Sequence, residues 1–308
     1  MRDHAEDHGG MRGRGRVNPV ATTPVTLGAS SLGSRAGAAE LADALLASAL
    51  GNVDTSNNYA GGRSEAALGE AIRRAGGLPT GKLVYSKADS DGDTGVFDGD
   101  RVRRSLAESL ERLGLDSLQL YQLHDPYTIG FDEAMAPGGA VPALLALREE
   151  GAIGAIGIAS GTMAQVHEYV ETGVFDVVLS HNRFTLVDRS AEPTFVRARE
   201  LGMTVFNAAP FGGGTLANGS DTYGYHAMPP AFAAHLSRVR ELAAEWSVDL
   251  AAAALQFSLR HPLVDTTVVG VSSRERLAAL PALIEAAVPD GFFEAVERLG
   301  PPPASGND

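Results

Sequence analysis

Eight strand-sized apolar runs, alternating with helix-patterned segments, constrain this chain more than any other feature. The runs fall at 25–32 (VTLGASSL), 52–56 (NVDTS), 83–87 (LVYSK), 117–123 (SLQLYQL), 152–160 (AIGAIGIAS), 174–180 (VFDVVLS), 203–209 (MTVFNAA) and 265–271 (DTTVVGV). Between them, segments such as AELADALLASAL, RVRRSLAESLERL, VPALLALREE and FVRARE repeat apolar residues every three to four positions, as a helix with one buried face does. Strands apolar throughout need cover on both faces, which points to a parallel sheet wrapped in helices. Eight such units predict a closed (β/α)8 TIM barrel in a single domain. An open doubly wound sheet fits less well. It would want a phosphate loop after its first strand, and GASSLGSRAG is a poor match to G-x-G-x-x-G.

The connections give the barrel a direction. Links from helix to strand are short, and most carry a glycine: Gly51, Gly76, Gly114, Gly151, Gly173 and Gly202. Glycine there is expected to supply the left-handed residue that ends a helix. The long connections instead follow strands, at 88–100, 124–140 and 210–230. In a barrel the loops after the strands build the functional face.

Composition removes several classes of function. Thirty-eight acidic against 25 basic side chains give a net charge of −13, which argues against nucleic-acid or anionic-membrane partners. The chain has no Cys, so a disulfide framework, a thiolate metal site and a cysteine nucleophile are all excluded. No apolar run is long enough to span a bilayer. Residues 1–18 are expected to be a disordered tail without the apolar core of a secretory signal, 19–300 the barrel, and 301–308 a second unstructured tail. A cytoplasmic address follows by default. Oligomeric state is not legible.

The polar residues at strand ends carry the candidate chemistry. Asp54 ends the second strand and Tyr59 follows five residues on; Lys87 ends the third strand and His124 the fourth. Three adjacent strands that each deliver an ionisable group to one face are unlike a scatter of surface residues. A Lys beside a Tyr is expected to stabilise its phenolate, and an Asp beside that Lys to keep it charged. An imidazole can orient a carbonyl oxygen. There is no HExxH, no HxH after the first strand and no G-x-S-x-G, so metal and serine hydrolysis lack support. The acidic run at 89–100 (DSDGDTGVFDGD) reads as a solvated loop, since it lacks the twelfth-position Glu of a calcium loop.

Together these segments resemble the aldo-keto reductases. The resemblance is carried by DTSNNYAGGRSEAALGEAI (54–72), YSK (85–87), SLERLGLDSLQLYQLHDP (109–126) and LREEGAIGAIGIAS (147–160), and by NRFTLVDRSA (182–191), NAAPFGGGTLA (207–217) and VVGVSSRERL (268–277). It is nearest to the branch of D-threo-aldose, L-galactose and pyridoxal dehydrogenases. The resemblance implies a barrel binding NADP or NAD across its mouth and reducing a small carbonyl or oxidising the alcohol. Tyr59 would be the general acid or base, Lys87 and Asp54 would tune it, and His124 would place the substrate oxygen. Cofactor contacts would come from Ser160, His181, Phe211, Gly212, Gly213, Gly214, Gly270, Ser272, Ser273 and Arg276, with Arg276 where a 2′-phosphate is held.

This chain departs from the family pattern in several places. Ala159-Ser160 replaces the usual Ser-Asn pair, His181 a Gln, Ala208 a stacking Tyr with Phe211 nearby, and Ala60 the Gly after the catalytic Tyr. Gly270 stands where some NADP-specific members have a Lys. Tyr127, Phe131, Phe184, Phe211, Tyr223 and Tyr225 are candidate walls for the substrate pocket. Two other readings of the residues stay open: a Schiff-base lyase using Lys87, and a nucleotide-binding sensor without turnover.

Overall fold

In the computed structural model, which describes residues 20–307, eight parallel strands close into a barrel. They are β1 (Val25–Gly28), β2 (Gly51–Asp54), β3 (Val84–Ala88), β4 (Leu118–His124), β5 (Ile153–Ala159), β6 (Val177–His181), β7 (Thr204–Ala208) and β10 (Thr266–Gly270). Each hydrogen-bonds its sequence neighbour, and β1 closes the ring on β10. The expected tail at 1–18 lies outside the described residues.

The covering helices are α1 (Ala38–Ala47), α2 (Arg63–Ala75), α3 (Gly99–Leu113), α5 (Ala140–Glu149), α6 (Met163–Glu171), α7 (Glu192–Glu200), α9 (Leu250–Arg260) and α10 (Arg274–Glu285). Three more are additions: α4 (Phe131–Met135) in the connection after β4, α8 (Pro230–Glu245) ahead of α9, and α11 (Asp290–Glu297) after α10. The connection after β7 also holds a 3-10 turn at Gly212–Gly214 and a short antiparallel ribbon, β8 (Thr222–Tyr223) with β9 (His226–Ala227).

Helix α3 shows how the sequence sets these elements. The Asp98 side chain accepts from Arg101 N at its start, and Asp100 adds negative charge to the first turn. Val102, Leu106 and Leu113 form its buried stripe, and Gly114 at φ 68° ends it by donating its N–H to Leu110 O. Gly76, Gly151, Gly173 and Gly202 take the same left-handed form, as expected. Gly51 does not. It opens β2, and a Cβ there would lie 1.8 Å from Val25 O, so close backbone contact excludes a side chain.

Apolar packing lies in two shells. Inside the barrel, Val20, Tyr85, Leu120, Ala155, Val177, Leu179, Phe206 and Val268 fill the interior, so it is a packed core and not a pore. A larger shell between strands and helices includes Leu27, Val53, Leu68, Val102, Leu144, Ile156 and Val205. At the end of the chain, residues 301–307 form no helix or strand. Ser305 is nevertheless buried, and Asn307 O accepts a hydrogen bond from Arg183 Nη2.

Candidate active site

Side chains alternate along a strand, so residues two apart point the same way. On β2 and β3 this builds three polar layers, each joining residues 33 apart in sequence. Deepest, Asn52 Nδ2 donates to Tyr85 Oη at 2.6 Å, and Tyr85 Oη donates to Ala21 O. Next, Lys87 Nζ donates to Asp54 Oδ1 at 2.5 Å. Above the strand ends, Ser56 Oγ donates to Asp89 Oδ2. The second and third layers are the site.

Lys87 is fully buried and its ammonium has three protons for three acceptors: Asp54 Oδ1, Thr55 O at 2.7 Å and Tyr59 Oη at 3.2 Å. Burial alone would lower its pKa, but the Asp54 carboxylate and the Tyr59 phenol outweigh that and raise it. Tyr59 differs from the expectation that Lys87 would draw its pKa down. Burial pushes the phenol up to about 12, and the opposing pull of Lys87 is the smaller effect.

Tyr59 sits on a loop that is stapled to α3. Asn57 Nδ2 donates to Ser105 O and Glu108 Oε2, and Asn57 Oδ1 accepts from Arg101 Nη2 at 2.9 Å. Arg101 Nε also donates to Asp89 O, and Arg112 Nη1 holds Asn57 O at 2.7 Å and the buried Glu65 carboxylate at 3.1 Å. Nothing in the sequence pointed to this scaffold, and the expectation of a solvated loop at 89–100 fails at its first residue, since Asp89 is buried and hydrogen-bonded. His124 lies edge-on to Tyr59 with ring centroids 5.5 Å apart, and its Nδ1 is 2.7 Å from Asp89 Oδ1.

The structure therefore brings Asp54, Tyr59, Lys87 and His124 together. Beside them is a polar pocket lined by Asp125, Tyr127, Gly161, Thr162, His181 and Tyr225, among others. Ser160 Oγ donates to Tyr127 Oη at 3.1 Å, and the His181 ring lies so close to Gly161 that a Cβ there would come within 2.7 Å of it. Burial pushes the His181 imidazole pKa down. Asp125, Asn182 and Ala209, each following a strand, adopt left-handed backbone at φ 41°, 59° and 56°. Non-glycine residues held this way mark the mouth as locally strained.

The remaining candidates lie apart or serve other ends. Ser272, Ser273, Arg274 and Glu275 line a cleft at the start of α10, opposite Ser31, Arg35, Glu40 and their neighbours. Arg276 is exposed on the same turn, its N–H donated to Ser273 Oγ. Gly270 ends β10 with open space where a Cβ would be. Phe211, just before the 3-10 turn, and Gly214, its last residue, are partly buried. The glycines at 212 and 213 are required by packing: a Cβ would strike the Tyr223 ring at 2.3 Å or Gly224 O at 2.5 Å. Phe184 and Tyr223 are core residues and not pocket walls, because both are fully buried, against Phe195 and Phe232 respectively. Phe131 packs on Tyr169.

A model of the aldo/keto reductase family matches residues 24–300. The chain belongs to the aldo/keto reductase family. It is similar to pyridoxal 4-dehydrogenase of Microbacterium luteolum, with 29% identity over 94% of this chain and 97% of that one. It is also similar to D-threo-aldose 1-dehydrogenase of a Pseudomonas species, with 32% identity over 81% and 84%. An aldo-keto reductase from Bacillus halodurans, solved in its holo form, superposes with a TM-score of 0.78 at 22% identity, covering 94% of this chain and 96% of its own. As a family member, this aldo/keto reductase is an NAD(P)-dependent oxidoreductase that interconverts a carbonyl and an alcohol. Among the described residues, no helix is long and apolar enough to cross a membrane.

Proposed function

We propose that Tyr59 is the proton-transferring residue and that the substrate is a small polyhydroxylated or pyridoxal-like aldehyde, or the corresponding alcohol or hemiacetal. The observation that carries the first point is the saturated ammonium of Lys87, which joins the Asp54 carboxylate to the Tyr59 hydroxyl. A bound NAD(P) supplies or accepts the hydride. The protein's own residues handle the proton. In reduction, Tyr59 Oη gives its proton to the substrate oxygen, and Lys87 beside it stabilises the phenolate left behind. Asp54 keeps Lys87 charged throughout. In oxidation the same phenolate takes the hydroxyl proton. His124, with Nδ1 engaged by Asp89, turns Nε2 toward the substrate.

The residues present suit an anionic dinucleotide. The start of α10 offers N–H groups and positive helix dipole, with Arg274 and Arg35 in the same cleft and Arg276 on its rim. Arg276 and Arg274 are placed to take a 2′-phosphate, which favours NADP. At the mouth, Asn182 Oδ1 is buried without a hydrogen-bond partner, an acceptor suited to a carboxamide N–H. Ser160 and His181 flank the same pocket, and Gly270 leaves open space at the end of β10. The relatives' substrates, and a pocket whose lining includes Asp125, Thr162 and two tyrosines, support the substrate class. A cytoplasmic address is part of this reading.

Schiff-base chemistry at Lys87 is disfavoured, because all three of its protons are engaged and its pKa is raised rather than lowered. Turnover of an aldose and pyridoxal panel with each cofactor separates an enzyme from a silent sensor. In Tyr59→Phe, turnover is expected to fall by at least about 10²–10⁴-fold, the contribution typical of a positioned acid. NADPH affinity is expected to stay nearly unchanged. Normal turnover in that variant would remove Tyr59 from the role. Binding is best followed by nicotinamide fluorescence, since Trp246 ends α8 against Gly291 of α11.

A further inference from the structure

Asp89 transfers no proton in the chemistry above, yet it is buried and ionised directly behind His124. Its Oδ2 accepts from Ser56 Oγ and from Asn58 N at 2.9 Å, and its Oδ1 faces His124 Nδ1 at 2.7 Å. Burial alone would push this carboxyl up. The hydrogen bonds from His124, Ser56 and Asn58 outweigh burial and hold it below the usual carboxylate range. Ser56 has one hydroxyl hydrogen, and it points to Asp89. In its own contact with His124 Nδ1, at 3.1 Å, Ser56 Oγ is therefore an acceptor. Both neighbours of Nδ1 accept, so a proton belongs on Nδ1.

The other side of the ring then follows. With one proton on the imidazole, Nε2 carries a lone pair. It stands 3.6 Å from Asp125 Oδ2, which lines the polar pocket, while Asp125 Oδ1 is buried without a hydrogen-bond partner. Two acceptors side by side at the mouth call for hydrogen-bond donors.

We infer that Asp89 is a positioning residue that fixes the singly protonated His124 with its proton on Nδ1, leaving Nε2 as an acceptor for a substrate hydroxyl other than the one whose proton Tyr59 exchanges. This builds on the reading of His124 as a substrate-facing group and names what it faces. A carbonyl oxygen needs a donor at Nε2, which this ring offers only after gaining a second proton. The reacting hydroxyl has one hydrogen, which goes to Tyr59, so the resting site is matched to a substrate with a further hydroxyl beside the reacting carbon, as a sugar has.

The chemistry of an amide makes the inference sharp. In Asp89→Asn, the Ser56 hydroxyl and the Asn58 N–H both still need an acceptor at the Oδ2 position, so they pin the amide oxygen there. The amide NH2 then faces Nδ1 as a donor, and the ring proton must move to Nε2. The test is nitrogen–proton correlation NMR of ¹⁵N-histidine-labelled protein near pH 8, without cofactor or substrate, with the His124 signals identified by their loss in His124→Gln. The expected wild-type signature is a protonated Nδ1 and a bare Nε2, and Asp89→Asn is expected to exchange the two. A wild-type proton on Nε2, a doubly protonated wild-type ring, or an unchanged tautomer in Asp89→Asn would each overturn the inference. The wild-type spectrum decides even if the variant does not fold. The measurement needs no turnover, so its failure is separable from failure of the functional reading.

Discussion

At the scale of single residues, Asp54 and Lys87 form a buried ion pair whose members are 4% and 1% exposed. Such a pair is weak support for the fold as a whole but costly to break from one side. Asp54→Asn leaves an ammonium in the interior with only neutral acceptors, and is expected to lose about 3–5 kcal/mol of stability in urea unfolding. The double variant Asp54→Leu with Lys87→Met removes both charges and is expected to recover most of that loss while remaining inactive. Additive losses in the double variant would refute the pairing. The four residues of this group were legible because each falls at or just after a strand end. Asp89 was not, although the signal was there. It lies two positions beyond Lys87, on the same side of the strand, but it opens the run DSDGDTGVFDGD, whose acidity suggested only solvent. Ser56 stands in the same relation to Asp54. Extending the period of two past the apolar residues would have found both. Asn57, Arg101 and Arg112 had no such signal, because their meeting depends on how α3 packs on a loop.

At the scale of elements, α2 and α3 meet through Gly69, where a Cβ would lie 1.8 Å from Arg112 O. Alanine is ordinarily the better helix former by about 1 kcal/mol, so a surface glycine would gain from this change. Here overpacking costs about 1–3 kcal/mol, and the contact is with backbone that cannot swing aside. Gly69→Ala is expected to lower the urea midpoint without changing the slope of unfolding. It should also lower kcat, because Arg112 carries the Asn57 carbonyl and the loop bearing Tyr59. A gain in stability would show that the helices part freely. The barrel's strands were readable from apolar runs, and its direction from the short glycine-ended links. Gly51 shows the limit of that reading, since a glycine demanded by a neighbouring carbonyl looks the same in sequence as one demanded by φ. The ribbon at 222–227 and helix α4 were likewise hidden, being too short to carry a period.

For the whole molecule, burial raises the pKa of six of the seven tyrosines: Tyr59, Tyr85, Tyr121, Tyr169, Tyr223 and Tyr225. Below about pH 10 a phenol is neutral in both the folded and the unfolded chain, and these groups leave stability unchanged. Above it the unfolded chain releases protons that the folded barrel retains, so stability falls as pH rises, up to the folded values near 12 for Tyr59 and Tyr169. Absorbance at 295 nm is expected to show most tyrosines ionising together, in step with the loss of far-ultraviolet circular dichroism. Gradual ionisation at pH 10 with the fold intact would contradict this. The path of the last described residues has a practical consequence of another kind. Asn307 is tied to Arg183 and lines the same pocket as His181 and Tyr225. Any affinity tag or fusion partner joined beyond it starts at the rim of that pocket, so a carboxy-terminal handle is expected to change what the pocket admits.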